Sequence, residues 1–212
     1  MNRRSFLAAT AAAAGALGIG LPARADDVSD VLAQITRARA GLKTLVATFV
    51  QERTIGLLAT TVKSDGELTL VRPDRLRWEL KPPDAVTYWV GPEGFAFATP
   101  NGSASAGKGA AGRFGAVLGD LLIFLGGDLE KLRGRYDLSV PSREGGGVVL
   151  VARPRADEVK KHVKRLELAA GPDLWGIKRV VIEEQSGDES VIAFTRIDRD
   201  AKVDPARMAP PK

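Results

Sequence analysis

The sequence predicts a mainly β, α+β domain: one large, strongly curved antiparallel sheet of about ten strands, with helices over its concave side. Three observations lead there. Short segments with a two-residue apolar period follow one another through most of the chain, each bounded by Gly, Pro or Asp turn signals. Two stretches, near residues 29–40 and 114–125, carry a helical period instead. No internal repeat or long linker divides the 212 residues, so all the strands must share one core.

The stretch 66–80 organises the rest, reading as two strands with a turn at Pro73-Asp74. Leu68 and Leu70 share one face, and Leu76, Trp78 and Leu80 form a second apolar row after the turn. Glu67, Thr69, Arg75, Arg77 and Glu79 fall on the opposite face, expected to meet water. Arg72 breaks the pattern, because its parity puts a guanidinium on the apolar side at the strand end. It must either pair or reach solvent along its own stem.

The first 25 residues read as an export signal. Arg3-Arg4 precede a mild Ala/Gly-rich apolar run, and Ala23-Arg24-Ala25 offers small residues for cleavage, a twin-arginine pattern. The run is too short and weak to span a bilayer. Setting it aside removes three arginines and no acids, which leaves 28 basic against 26 acidic side chains, net +2. The basic balance therefore gives no argument for nucleic acid. Residues 26–212 are expected to form one domain, and the absence of cysteine excludes disulfides, thiolate metal sites and cysteine nucleophiles.

Val28, Val31, Leu32 and Ile35 predict a first helix over 29–40, ended by Gly41. From Thr44 the period changes to two, with Ala47, Phe49 and Gln51 on one face. After the 66–80 hairpin come strands at 86–90 and 95–99 around the turn 91–94, making five strands in a row. Residues 100–112, rich in Gly, Ala and Ser, are expected to be a mobile loop; they lack the spacing of a phosphate-binding loop. Phe114, Val117, Leu118, Leu121, Leu122 and Leu125 then mark a helix, and Ile123 and Phe124 widen its apolar arc beyond one packing face. Such a helix touches two apolar surroundings, a partner or a ligand. Residues 128–133 can add a further turn, and strands follow at 136–140, 148–152, 163–169, 174–184 and 191–197.

Candidates for catalysis are few. His162, the single histidine, lies in a basic stretch and is expected to be solvated, as are Glu183-Glu184 and Asp198/Asp200 at strand ends. No nucleophile elbow or paired-histidine motif occurs, so no cofactor or metal is expected and binding is a better reading than catalysis.

Phe49-x-Gln51, Gly66-x-Leu68, Arg72-Pro73-x-x-Leu76-x-Trp78 and Pro82-Pro83 together resemble the periplasmic outer-membrane lipoprotein carrier family, LolA. The turn 91–94, Ile182-Glu183 and Pro210-Pro211 extend the resemblance over most of the chain. It implies a half-open antiparallel barrel with helices lidding a hydrophobic cavity. It also implies a periplasmic, monomeric, non-enzymatic chaperone that carries lipoprotein acyl chains from an inner-membrane releasing transporter to an outer-membrane receptor lipoprotein. Arg72 would be the lid gate, and Leu68, Leu70, Leu76, Trp78, Leu80, Phe95, Phe97, Leu118, Leu122 and Leu125 would supply the cargo cavity. Two other readings share the fold: a carrier of a non-protein lipid or aryl-acyl product, and a lipid-sensing regulatory domain.

Overall fold

Eleven strands form one sheet in the order β6-β5-β4-β3-β2-β1-β11-β10-β9-β8-β7. They come from a computed structural model that describes residues 25–107, 112–143 and 146–211. The export signal expected at 1–25 therefore lies outside the described residues, apart from Ala25. The strands are β1 (Thr44–Ile55), β2 (Thr60–Val71), β3 (Arg75–Leu80), β4 (Val86–Gly91), β5 (Gly94–Thr99), β6 (Gly102–Ala106), β7 (Tyr136–Ser142), β8 (Val148–Pro154), β9 (Val163–Ala170), β10 (Ile177–Glu184) and β11 (Glu189–Arg199). Helix α1 (Ala25–Ala38) precedes them, α2 (Gly112–Gly126) and α3 (Glu130–Arg133) separate β6 from β7, and α4 (Asp157–Lys160) joins β8 to β9.

Two antiparallel meanders are joined where β1 pairs with β11. The sheet's free edges are β6 and β7, consecutive in the chain, and the sheet does not close between them. The chain crosses from one edge to the other through α2 and α3, which puts helices where a closed barrel would have strand pairs. A sheet of so many strands twists and curls, and its concave face needs a cover.

Register fixes which residues meet there. Leu68, Trp78, Tyr88 and Phe97 lie opposite one another across β2 to β5, and Leu70, Leu76, Val90 and Phe95 form the next row. On β1 the buried residues Leu45, Ala47, Phe49 and Gln51 alternate with half-buried ones, as the period of two predicts. Gly66 faces Phe49, and a Cβ at Gly66 would lie 2.1 Å from Phe49 Cζ. The missing side chain is the space the ring occupies. Phe49 in turn packs on Trp78, centroids 4.2 Å apart, and edge-on to Phe194 at 5.8 Å.

Four expectations need correction. Part of the loop expected at 100–112 is strand β6, because its small residues complete a hairpin with β5; residues 108–111 lie outside the described set. Strand β2 starts at Thr60, pairing with β1 along its whole length, where mixed polarity hid the strand. Strand β10 starts at Ile177, since Leu174 sits in a turn with φ 59°. The polar face of the 66–80 hairpin is not uniformly wet: Thr69 and Arg77 are buried. The C-terminal segment is tied to that side, with Trp89 Nε1 donating to Arg207 O (3.0 Å), Arg207 paired with Glu67 (2.7 Å) and Met208 buried.

Candidate functional site

The inner face of the curved sheet and the helices covering it form one apolar core. Leu68, Leu70, Leu76, Trp78 and Leu80 enter it from the sheet, and Leu118 and Leu125 from α2, all buried. Phe95 and Leu122 pack against this core half-buried. Phe97 lies at its rim, 36% exposed, with its ring 6.4 Å from those of both Tyr88 and Phe95. Sequence reading overlooked Tyr88, although its register with Trp78 and Phe97 follows from the strand period. Helix α2 lies over β2, β3 and β4, while α1 and α3 reach β7 at the other edge. The broad apolar arc of α2 is used on both sides, since Val117, Leu121 and Phe124 are buried with Leu118 and Leu125.

Besides their buried apolar sides, the helices are held over the sheet by a few polar contacts. Arg72 Nη1 donates to the carbonyls of Arg39 (2.8 Å), Ala40 (3.4 Å) and Leu42 (3.1 Å). These belong to the turn that ends α1, where a helix leaves carbonyls unpaired and carries partial negative charge. Arg72 therefore neither buries an unpaired charge nor runs free into solvent.

Arg39 is the larger surprise, a guanidinium only 1% exposed. Nη1 donates to Phe124 O near the end of α2, and Nε donates to Trp175 O in the β9–β10 connection (3.1 Å). The group also lies over the Phe124 ring, 4.8 Å from its centroid. Burial lowers its pKa to about 10, with Asp173 opposing the shift, so it stays charged at neutral pH. Nη2 has no partner among the described residues. One signal was available: Arg39 falls four residues after Ile35, just past the end of α1 where its apolar stripe would continue, and a charge there needs a reason to be.

A third tie fixes the middle of α2. Buried Asp120 accepts from Tyr136 Oη, and Arg135 Nε lies 2.8 Å from Asp120 Oδ1. Burial raises the pKa of the Asp120 carboxyl, against the lowering effect of its bonds to Tyr136 and Arg135. Thr36 Oγ1 adds a bond from α1 to Gly127 O (3.2 Å).

The acidic residues flagged in the sequence make scaffold contacts, Glu183 in a largely covered pair and Asp198 and Asp200 at the surface in contact with solvent. Glu183 pairs with Arg165 at 2.6 Å, Asp198 with Arg196 at 2.9 Å, and Asp200 accepts from the Lys43 amide at 2.9 Å. His162 is half-buried at the start of β9, and its backbone bonds Val159 and Gln185. Among the described residues no three His, Cys, Asp or Glu side chains gather as a metal site. A surface groove of about 310 Å³ runs beside the C-terminal segment between Trp89, Phe95, Met208 and Pro210.

These features define a class of protein: an incompletely closed antiparallel barrel with an apolar interior and a helical cover tied down by a few polar bonds. The sequence model of the outer membrane lipoprotein carrier protein LolA matches residues 40–88, from the turn after α1 into β4. An outer-membrane lipoprotein carrier protein of Alkalilimnicola ehrlichii is 28% identical over 154 residues, 69% of this chain and 63% of that relative. The match thus spans less than two thirds of the relative's length. A conserved protein from Thermus thermophilus superposes with a TM-score of 0.53 at 12% identity, covering 87% of this chain and 94% of that one. A DUF1329 family protein from Desulfovibrio piger gives 0.52 at 11% identity, covering 86% and 97%. At such identities the two structures speak for the fold. The chain is thus similar in sequence to the LolA carriers, through residues 40–88 and the curated relative, and it shares its fold with the two solved structures.

Proposed function

We propose that this protein is a periplasmic carrier that takes up the acyl chains of a lipoprotein beneath its helical cover and passes them on without chemistry. The observation that supports this reading is the cover itself: the apolar inner face is closed by α1, α2 and α3, held by their buried apolar sides and a few polar contacts, and not by further strands. Each methylene taken from water is worth about 0.8 kcal/mol, so a sixteen-carbon chain represents on the order of 10 kcal/mol. A bond from a charged donor contributes about 1.5–3 kcal/mol, so entry of one chain can offset the loss of several. Leu68, Leu70, Leu76, Trp78, Leu80, Leu118 and Leu125 would then exchange contacts with each other for contacts with cargo, and Phe95, Phe97 and Leu122 mark where it enters.

Arg72 is the gate in this reading, holding the end of α1 in the empty form and released when cargo enters. The donor would be an inner-membrane lipoprotein-releasing transporter and the acceptor an outer-membrane receptor lipoprotein, with the carrier exported by its N-terminal signal and working as a monomer. Arg72→Leu should still load cargo but transfer it to the acceptor at least about tenfold more slowly, a change of about 1.4 kcal/mol. Transfer at the wild-type rate would remove the gate role. Mass spectrometry of material co-purifying with the protein tests the cargo: lipoproteins support the reading, whereas free lipids alone or a single non-lipidated partner would replace it.

A further inference from the structure

The β1–β2 hairpin ends in a feature that cover and interior do not use. Its tip is a single 3-10 turn, Gly56–Leu58, that holds Leu57 92% exposed and Leu58 65% exposed. Hairpin tips are normally built from Gly, Asn, Asp or Ser, so two leucines in solvent run against the rule. The tip also projects beyond its neighbours on one side. β3 pairs with β2 only from Gly66 onward, which leaves the first six residues of β2 without a strand partner there.

The turn is held in a fixed shape. Gly56 N donates to Asp188 Oδ1 (3.1 Å), and the Gly56 backbone lies so close to the β10–β11 turn that a Cβ would sit 2.5 Å from Gly187 O. Ala59 takes a left-handed conformation at φ 47°, Thr60 Oγ1 bonds Leu58 O (3.2 Å), and the Thr54 and Thr61 hydroxyls bond across the hairpin at 3.0 Å. The two leucines are thus presented outward by an ordered support.

We propose that this tip is a membrane-docking prong that inserts Leu57 and Leu58 into the interfacial layer of a lipid bilayer. The size of the patch favours lipid over protein. Two leucine side chains offer roughly 300 Å², whereas each partner of a specific protein interface buries about 600 Å² or more. A convex tip needs no complementary surface to enter a bilayer. The charges around it cancel, with Arg53 on Asp188 at 2.9 Å and Glu52 on Lys63 at 3.1 Å. The attraction is therefore apolar, weak and reversible, and calls for no anionic lipid. The prong stands apart from the core that the carrier reading assigns to cargo, so either can fail alone.

The chain contains no cysteine, so one introduced thiol carries an environment-sensitive dye at a single known place. Leu58→Cys in the full chain, labelled and titrated with phosphatidylcholine vesicles, should brighten and shift to the blue, while the same label at Asn101→Cys should not. The response should survive a rise from about 0.05 to about 0.5 M salt, which would screen an electrostatic contact. Adding Leu57→Ser should raise the lipid needed for half the response by about tenfold, the loss of roughly one buried leucine side chain. The proposal is overturned if the label at residue 58 does not respond to vesicles, responds no more than the one at 101, or responds only with anionic lipid. A blue shift that grows with protein concentration in the absence of vesicles would assign the tip to a second copy of the chain, and overturn it too.

Discussion

Replacing Gly66 by alanine tests the register on which the inner face depends. The added Cβ would lie 2.1 and 2.4 Å from two ring carbons of Phe49 and 2.6 Å from Glu79 O. Neither obstacle can give way cheaply. The ring is pressed between Trp78 and Phe194, and the carbonyl belongs to β3, which pairs with β2 at this point. Overpacking a core costs about 1–3 kcal/mol, and a clash with ring and backbone together should fall near the upper end, about 3 kcal/mol. For a domain of this size that lowers the melting temperature by roughly 6–12 °C. Far-UV circular dichroism on heating, with urea unfolding beside it, measures both quantities. Combining Gly66→Ala with Phe49→Leu should show coupling: the pair should be less destabilised than the sum of the singles by about 1 kcal/mol or more. If Gly66→Ala melted within about 1 °C of wild type, the facing of Phe49 on Gly66 would be wrong, and with it the rows built from that register.

Two further substitutions probe the cover. Arg39→Met keeps much of the side-chain volume but leaves Phe124 O and Trp175 O without their donor; we expect a loss of about 2 kcal/mol and faster hydrogen exchange in residues 117–127, with β1 to β3 unchanged. Unaltered protection of α2 would show that Arg39 does not hold it. Asp120→Asn tests pH dependence. Burial raises the folded pKa of Asp120 above its unfolded value of about 3.9, so its contribution is fully present below that pH and is lost as pH rises through the folded pKa. Wild-type stability relative to Asp120→Asn, from urea unfolding, should therefore fall as pH is raised over the interval that begins at about pH 4. A rise over that interval would reverse the reasoning.

The periods of two and of 3.6 in the sequence were enough to place most strands, both long helices and the apolar rows, because alternation records directly which side of a strand meets the core. Phe49, Gly66, Leu68 and Trp78 came together in the sequence only through the resemblance to the carrier family, and that Gly66 leaves room for the Phe49 ring is visible only in the pairing of β1 with β2. β6 was not legible, since Gly102-Ser103-Ala104-Ser105-Ala106 carries no apolar alternation and becomes a strand only through β5. Residues 60–65 of β2 were missed likewise, their polarity set by a hairpin that stands largely in solvent.

The chain's amino acids determined by themselves a mainly β fold with an apolar inner face and two helices to cover it. Only tertiary structure decided how that cover is fastened. Arg39 meets Phe124 and Trp175, Arg135 and Tyr136 meet Asp120, and Leu57 and Leu58 remain in solvent, through contacts or their absence between segments distant in the chain. Periodicity reports the side a residue faces; it holds no record of what arrives from the other side. A buried arginine and an exposed leucine both go against their type, and the reason for each is visible only once the partners have been brought together.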